Sequence, residues 1–319
     1  MDVSIIIVNW NGRDLLAKCI ESVIKHPPSA PYEIVVVDNA STDGSVEWLR
    51  AAHSDGWLRE TNLRLIENVE NVGFGRANNI AFNQTSARML LLLNSDTEVR
   101  KGAIDKLAEA LKANEKLGGC GPKLLNTDGS VQASVCRNPT TAWEILVTGL
   151  RLWYLLPRRV RAELLLGMFW DHSKRRKVRM LSGAAILLRR DAIDSVGGFD
   201  EEFDFYGEDT ELCLRIVNSG WELLFEPDAQ VVHHGGKSAL QRWIPEEKYR
   251  RGAEAALQCY RKSLPRFHFV ANCLARLLVF SFERVWRRAR GVSTREVDVQ
   301  FSVYRKHLRE IMSGRNRRK

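Results

Sequence analysis

SIIIVNWNG at residues 4–12 and VVVDNASTDGS at residues 35–45 decide the fold. Each opens as a run of apolar, β-branched residues and stops abruptly, at Asn9 in the first and Asp38 in the second. Strands buried on both faces read as continuous apolar runs, so both are predicted as parallel strands. Between them Leu15, Leu16, Cys19, Ile20 and Val23 recur at helical spacing. Further out, 63–66 and 89–93 are predicted as strands, with helices at 45–52, 76–83 and 102–113. Strands alternating with helices imply right-handed crossovers. The expected fold class is α/β, with a mostly parallel Rossmann-like sheet. Polar residues cluster just after the predicted strands, at 9–12, 38–43 and 94–98. Ligands bind at the carboxyl ends of such sheets, so the candidate site lies there.

Beyond 118 the pattern loosens into a predicted strand at 181–188, a helix at 209–217 and short strands at 222–225 and 230–232. From 246 the chain reads as helical and basic. With 319 residues, 45% hydrophobic and 27% charged, the composition excludes a disordered or fibrous chain. The length suits one large α/β domain with additions, or two domains. The net charge of +9 is localised: residues 284–319 hold twelve Lys/Arg against three acids, and 151–190 hold eleven against two. An acidic body therefore carries two basic segments, which suit nucleic acid or anionic lipid. The six cysteines show neither a CxxC pair nor zinc-ligand spacing. The chain opens on a strand-like run, without a basic n-region or cleavage site. A reducing, cytoplasmic location is expected. Residues 267–282 and 143–156 are the most apolar stretches, but Asn272 and Arg276 interrupt the first and Glu144 and Arg151 the second. Neither reaches the ~18 apolar residues of a spanning helix, and both could lie along a membrane surface.

Within 94–98, Asn94-Ser95-Asp96-Thr97-Glu98, a carboxylate at a buried strand's end suits a divalent cation, whose other ligands come from substrate phosphates and water. A cap for the helix at 102–113 explains the same residues. Asp38 to Asp43 offers acceptors for a nucleobase N–H or ribose hydroxyls, or a turn with an N-cap. NVGFGRANN at 71–79 resembles a phosphate-cradling loop with an arginine for anions. Asn78 stands where the third glycine of a dinucleotide fingerprint would be, which excludes that reading. HHGGKS at 233–238 ends like a Walker A loop, but Val231 replaces the required glycine. It reads instead as a surface turn with two imidazoles, either of which could bind a metal. GFDEEFDFYGED at 198–209 crowds six carboxylates among aromatics, which is costly unless something positive or reactive is near. An exposed acidic loop is the bland alternative. Asp209 opens a helix whose Leu212 and Ile216 face inward.

Taken in order, SIIIVNWNG (4–12), VVVDNASTDGS (35–45), NVGFGRANN (71–79), LLLNSDTEV (91–99), LSGAAILLRRD (181–191), GGFDEEFDFYGEDTELCLR (197–215) and VVHHGGKS (231–238) resemble a family-two glycosyltransferase of the A-type fold. The resemblance is to the bacterial surface-polysaccharide and rhamnosyltransferase-like kind, and covers roughly residues 3–240. It implies that Asp38 and Asn39 hold the nucleotide base, with Asn9, Arg76 and Ser95 completing the nucleotide pocket. It implies Asp96 and His233 as ligands of Mg²⁺ or Mn²⁺, and Asp209 as general base, with Glu208 the next candidate. Asn94 replaces the first aspartate of the strict metal motif, and Asn39 a second aspartate found in many members.

The implied activity is metal-dependent, inverting transfer of a sugar from a nucleotide-sugar to a lipid-linked or polysaccharide acceptor in cell-surface or cell-wall glycan synthesis. The lean is L-rhamnose from its dTDP donor. Residues 1–240 are read as the catalytic domain, with a nucleotide-sugar half (1–117) and an acceptor half (118–240). Residues 241–319 form a helical basic extension, expected to lie on the anionic inner face of the cytoplasmic membrane or to serve as an oligomer interface. A degenerate, catalytically inactive module that only binds nucleotide-sugar is a second reading, opposed by the intact Asp96, Asp209 and His233. A nucleic-acid-binding protein is a third, opposed by the absence of any nucleic-acid motif. No nucleic-acid partner is expected.

Overall fold

The computed structural model describes residues 1–54, 56–59, 61–132, 136–137, 141–166, 169–203, 206–235 and 244–313. The first strands form where the apolar runs predict them: β1 (Val3–Asn9), β2 (Tyr32–Asp38), β3 (Leu63–Glu67) and β4 (Met89–Asn94). They alternate with α1 (Arg13–Lys25), α2 (Ser45–Ser54) and α3 (Phe74–Asn83). Ile5 to Ile7, Ile34 to Val37 and Leu90 to Leu93 are buried, as strands covered on both faces must be. β5 (Thr97–Val99) follows β4 directly and precedes α4 (Ala103–Ala113). The 94–98 segment is thus a strand-to-strand turn, and α4 is capped by Gly102 in the left-handed region.

β6 (Leu117–Leu125) was not legible, because its Leu-Gly-Gly-Cys-Gly-Pro lacks the side chains that mark a strand. Its glycines are where neighbours press closest: a Cβ on Gly119 would meet Leu188 Cδ2 at 2.8 Å and Leu223 Cδ2 at 3.0 Å. After β7 (Cys136–Arg137), α5 (Ala142–Gly149), α6 (Arg158–Leu164) and β8 (Arg176–Val178), the predicted strand at 181–188 divides. It becomes β9 (Met180–Leu181) and β10 (Ala185–Arg189), separated by Ser182-Gly183-Ala184. Next come α7 (Arg190–Val196), α8 (Glu208–Asn218) and β11 (Glu222–His233), a single strand that joins the predicted 222–225 and 230–232. Its register against β6 shifts between Glu226 and Gln230, which is why the pattern reads as two pieces.

Among the described residues the main sheet runs β3-β2-β1-β4-β10-β6-β11-β5, with β8 also on β11. β1, β2, β3, β4, β6 and β11 are parallel, whereas β10 is antiparallel to β4 and β6, and β5 and β8 are antiparallel to β11. The sheet is therefore mixed, and the expected mostly parallel sheet holds in part, with β5, β8 and β10 reversed. No apolar pattern distinguishes a buried antiparallel strand such as β10 from its parallel neighbours.

The chain divides into two compact units, Met1–Arg137 with Asp171–Asp204 and Glu208–Ser238, and Asn138–Trp170 with Phe205–Gly207 and Ala239–Lys319. The sequence pattern places the boundary at 240, with 138–170 in the catalytic stretch. In the structure that segment joins the C-terminal helices α9 (Pro245–Ser263), α10 (Arg266–Ala289) and α11 (Arg295–Met312). Packing explains it: Ile145 of α5 clusters with Ala275 and Val279 of α10, and a Cβ on Gly149 would collide with Val279. Leu257, Phe269, Cys273, Phe280, Val297 and Tyr304 join α9, α10 and α11 in one core. Among the described residues no helix is long and apolar enough to cross a membrane.

Gly119→Ala is expected to destabilise the sheet by about 1–3 kcal/mol, the usual range for overpacking. Urea unfolding checks it, and a variant as stable as the parent would show that Leu188 and Leu223 can yield.

Candidate active site

Three neighbouring strand ends supply the first half of the site. Asn9 ends β1 opposite Asp38 at the end of β2, and Val8 stands opposite Asn94 at the end of β4. Asn9 Nδ2 donates to Asp38 Oδ2 at 3.0 Å and to Ser41 Oγ at 3.2 Å. Asp38 also accepts from the Ser41 backbone N at 2.8 Å and Ser41 Oγ at 2.7 Å. The β2 loop is thereby folded back over the end of β1. Asn9 Oδ1 is buried without a partner. A Cβ on Gly12 would lie 3.1 Å from that oxygen and 3.6 Å from Ser95 Oγ. The loops after β1 and β4 thus approach closely, bringing Asn9, Asp38 and Ser95 together.

Asn39 is used differently. Its Oδ1 accepts from Asn68 Nδ2 at 2.8 Å, and its Nδ2 donates to Asn71 Oδ1 at 3.3 Å and Gly73 O at 3.2 Å. Both ends of the amide therefore hold the 68–73 loop. Gly73, at φ 87°, turns that loop into α3. Arg76 on α3 donates from Nε to Glu201 Oε2 at 3.0 Å, and Asn79 donates to Glu201 Oε1 at 3.1 Å. The glycine-rich loop and the acidic stretch are thus joined, and Glu201 occupies the arginine expected for an anion.

Asp96 sits in the turn between β4 and β5, and β5 pairs with the end of β11. That pairing sets His233 opposite Thr97, with its Nε2 3.3 Å from Asp96 Oδ1. His234 turns to Glu98, with Nε2 2.7 Å from Oε1. Neither imidazole is the solvated surface group that the bare turn reading implies. His233 Nε2 and Asp96 Oδ1 form a nitrogen–carboxylate pair whose spacing suits two ligands of one cation, with substrate phosphates and water completing the set. Among the described residues no group of three or more His, Cys, Asp or Glu could hold a metal alone. Lys237 and Ser238 of the same motif, and Asp204 and Phe205 of the acidic stretch, lie outside the described residues.

Asp209 and Glu208 open α8, with Leu212 and Ile216 buried beneath them as expected. Asp209 Oδ2 accepts from Gly183 N at 3.0 Å, and Oδ1 from Thr210 N at 2.6 Å. Gly183 precedes β10, and the next residue's carbonyl, Ala184 O, accepts from Asn94 N at 2.9 Å. One short loop thus ties Asp209 to the end of β4, just before Asp96. A Cβ on Gly183 would lie 3.0 Å from Asp209 Cβ, so glycine is what lets the carboxylate approach. Gly183 lies within LSGAAILLRRD, and no local signal in that stretch marks it as the partner of Asp209. Glu208 differs in environment: burial, with the Asp209 charge beside it, pushes its carboxyl up to about 8, and its Oε2 is buried without a partner.

A mannosyltransferase of Pyrobaculum calidifontis, solved in complex with GDP-Man and Mn²⁺, superposes with a TM-score of 0.60 at 16% identity, over 100% of this chain and 88% of that one. TarS of S. aureus, residues 1–349, solved with UDP-GlcNAc, gives 0.53 at 15% identity, over 98% and 92%. The fold is that of the A-type glycosyltransferases. Residues 4–197 match the model of glycosyl transferase family 2, and the chain belongs to that family. An N-acetylglucosaminyl-diphospho-decaprenol L-rhamnosyltransferase of Mycobacterium tuberculosis is 30% identical over 232 residues, 65% of this chain and 68% of the relative. An O-antigen biosynthesis protein of Myxococcus xanthus is 28% identical over 248 residues, 77% of this chain but 18% of that protein. The protein is a glycosyltransferase.

A carboxyl held protonated in the fold but ionised in the unfolded chain makes stability fall as pH rises from its ordinary value near 4.5 to about 8. Glu208→Gln is expected to flatten that decline, measured by urea unfolding at about pH 5 and about pH 8. Equal declines in parent and variant would place the Glu208 proton elsewhere.

Proposed function

We propose that this glycosyltransferase transfers a sugar with inversion from a nucleotide-sugar to a lipid-linked or polysaccharide acceptor in bacterial surface-glycan synthesis, with dTDP-L-rhamnose the favoured donor. The observation that carries the mechanism is the bond from Gly183 N to Asp209 Oδ2, on the loop that also holds the end of β4. The rhamnose assignment draws on the named activity of the mycobacterial relative.

Asn9, Asp38 and Ser95 bind the nucleotide, with the Asp38 carboxylate as acceptor for a base N–H or a ribose hydroxyl. Asn39 acts indirectly, by holding the 68–73 loop. Arg76 reaches the donor by exchanging its partner Glu201 for a phosphate. Asp96 and His233 would hold Mg²⁺ or Mn²⁺, which when bound neutralises charge developing on the departing nucleoside diphosphate. Asp209 takes the proton of the attacking hydroxyl, with two backbone N–H donors fixing its orientation. Burial and the adjacent Asp209 charge push the Glu208 carboxyl up to about 8, so Glu208 does not compete as the base at neutral pH. A single base opposite the leaving group gives one displacement and inversion, without a covalent sugar–enzyme intermediate.

The helical unit would hold the enzyme at the anionic inner face of the cytoplasmic membrane. Phe267, Leu274, Leu278, Phe282 and Val285 follow one face of α10 and are 42% to 79% exposed. Tyr154 and Leu155, in the segment after α5, are also exposed, as are Arg151, Arg158, Arg159, Arg288 and Arg290. An apolar stripe flanked by arginines suits a helix lying in the headgroup region, where each basic residue adds about 1 kcal/mol of attraction.

Asp209→Asn is expected to lower nucleoside diphosphate release by ~10²-fold or more while leaving donor binding intact. Asp96→Ala should abolish Mn²⁺-dependent donor binding in calorimetry, and Asn94→Ala should weaken it less. Near-parental turnover of Asp209→Asn at saturating acceptor would remove Asp209 as base. For the membrane, salt-sensitive sedimentation with anionic but not neutral vesicles is expected. The combined Leu274→Ser, Leu278→Ser and Phe282→Ser variant should lose it while retaining activity on a water-soluble acceptor. Unchanged sedimentation would exclude this face, and a change in oligomer size instead would make it a subunit interface.

A further inference from the structure

We propose that Gln132 is a positioning residue for the metal site, holding His233 in the tautomer whose Nε2 lone pair faces Asp96. The proposal rests on the reading of Asp96 and His233 as cation ligands. Gln132 follows a tight return of the chain after β6: Asn126 N donates to Ser130 O at 2.8 Å, and Gly129 N to Asn126 O at 3.0 Å. Asp128 Oδ1 accepts from Ser130 N at 2.9 Å and Ser130 Oγ at 2.6 Å, stiffening the turn. Val131 then bridges Leu125, and Gln132 N donates to Leu124 O at 2.9 Å. The backbone of Gln132 is therefore fixed to β6, the strand beside β11.

The side chain makes two bonds to one residue. Gln132 Nε2 donates to the His233 carbonyl at 2.8 Å, and Gln132 Oε1 lies 3.0 Å from His233 Nδ1. The first bond fixes which end of the amide is which, because a carbonyl can only accept. Oε1 must then face Nδ1, and an amide oxygen only accepts, so Nδ1 carries the hydrogen. In a neutral imidazole this leaves Nε2 as a bare lone pair, 3.3 Å from Asp96 Oδ1. Two acceptors facing each other repel unless a cation lies between them. Gln132 thus prepares the nitrogen for a metal before one arrives, as outer partners of ligating histidines do.

The test uses the full chain, with Mn²⁺ affinity measured in the presence of nucleoside diphosphate and histidine ¹⁵N spectra recorded without metal. Gln132→Leu is expected to weaken Mn²⁺ binding by about 10-fold or more, the range for a lost outer partner of a metal ligand. Gln132→Glu keeps an acceptor for Nδ1–H but loses the donor to the His233 carbonyl, and should retain most of the affinity. The metal-free parent and Gln132→Glu should show His233 protonated on Nδ1, assigned by comparison with His233→Asn, and Gln132→Leu should lose that preference. A merely structural role would lower both variants alike, which would overturn the proposal. So would unchanged affinity in Gln132→Leu, or an Nε2–H imidazole in the metal-free parent. Failure of the parent chain to bind Mn²⁺ would instead overturn the metal reading itself, so the two failures are told apart.

Discussion

β10 runs against its neighbours, and the site depends on that direction. It lies between β4 and β6, with Ala185 opposite Leu93 and Leu187 opposite Cys120. An antiparallel strand begins at the edge where its parallel neighbours end. The residues entering β10 therefore meet those leaving β4, and Ala184 O receives the Asn94 N–H. Gly183, one residue earlier, is free to donate to Asp209. A parallel strand in the same place would bring its C-terminal end there instead, and the Gly183 N–H that holds Asp209 would lie at the opposite edge of the sheet.

The titratable groups divide by environment. Glu208 has a buried Oε2 without a partner, and desolvation together with the adjacent Asp209 charge favours its protonated form. Asp209, one residue on, has an N–H on each oxygen. The adjacent carboxyls thus have different surroundings, one desolvated and the other held by two backbone donors. Beyond the turn after β4, the β5–β11 pairing matches each imidazole to its own carboxylate, His233 to Asp96 and His234 to Glu98.

In the helical unit, packing separates residues that look alike in sequence. Phe269, Phe280 and Val279 enter the core, while Phe267, Leu274 and Phe282 stay exposed. The arginines divide as well. Arg284 pairs with Asp298 at 2.6 Å, and Arg287 with Glu283 at 2.7 Å and Glu296 at 3.4 Å. Arg151 and Arg290 instead lie over the Trp286 ring at 4.0 and 4.4 Å. Part of the basic charge counted in the sequence is therefore neutralised inside the unit, and what remains for an anionic surface is smaller than the count suggests.

The α/β class, the strands β1 to β4 and the polar residues at their ends are legible in the chain alone. These depend on local pattern, an apolar run broken by Asn9, Asp38 or Asn94, and such a pattern survives without knowledge of the neighbours. It also marked Asp96, His233 and Asp209 through their resemblance to a family. The direction of β10 and the presence of β6 emerge in three dimensions, where Gly119 of β6 makes room for side chains from Leu188 and Leu223 on the neighbouring strands. Folding also joins Gln132 to His233 and Gly183 to Asp209. These contacts link residues distant in the chain, and single-sequence periodicity carries no information about which distant residue will face which.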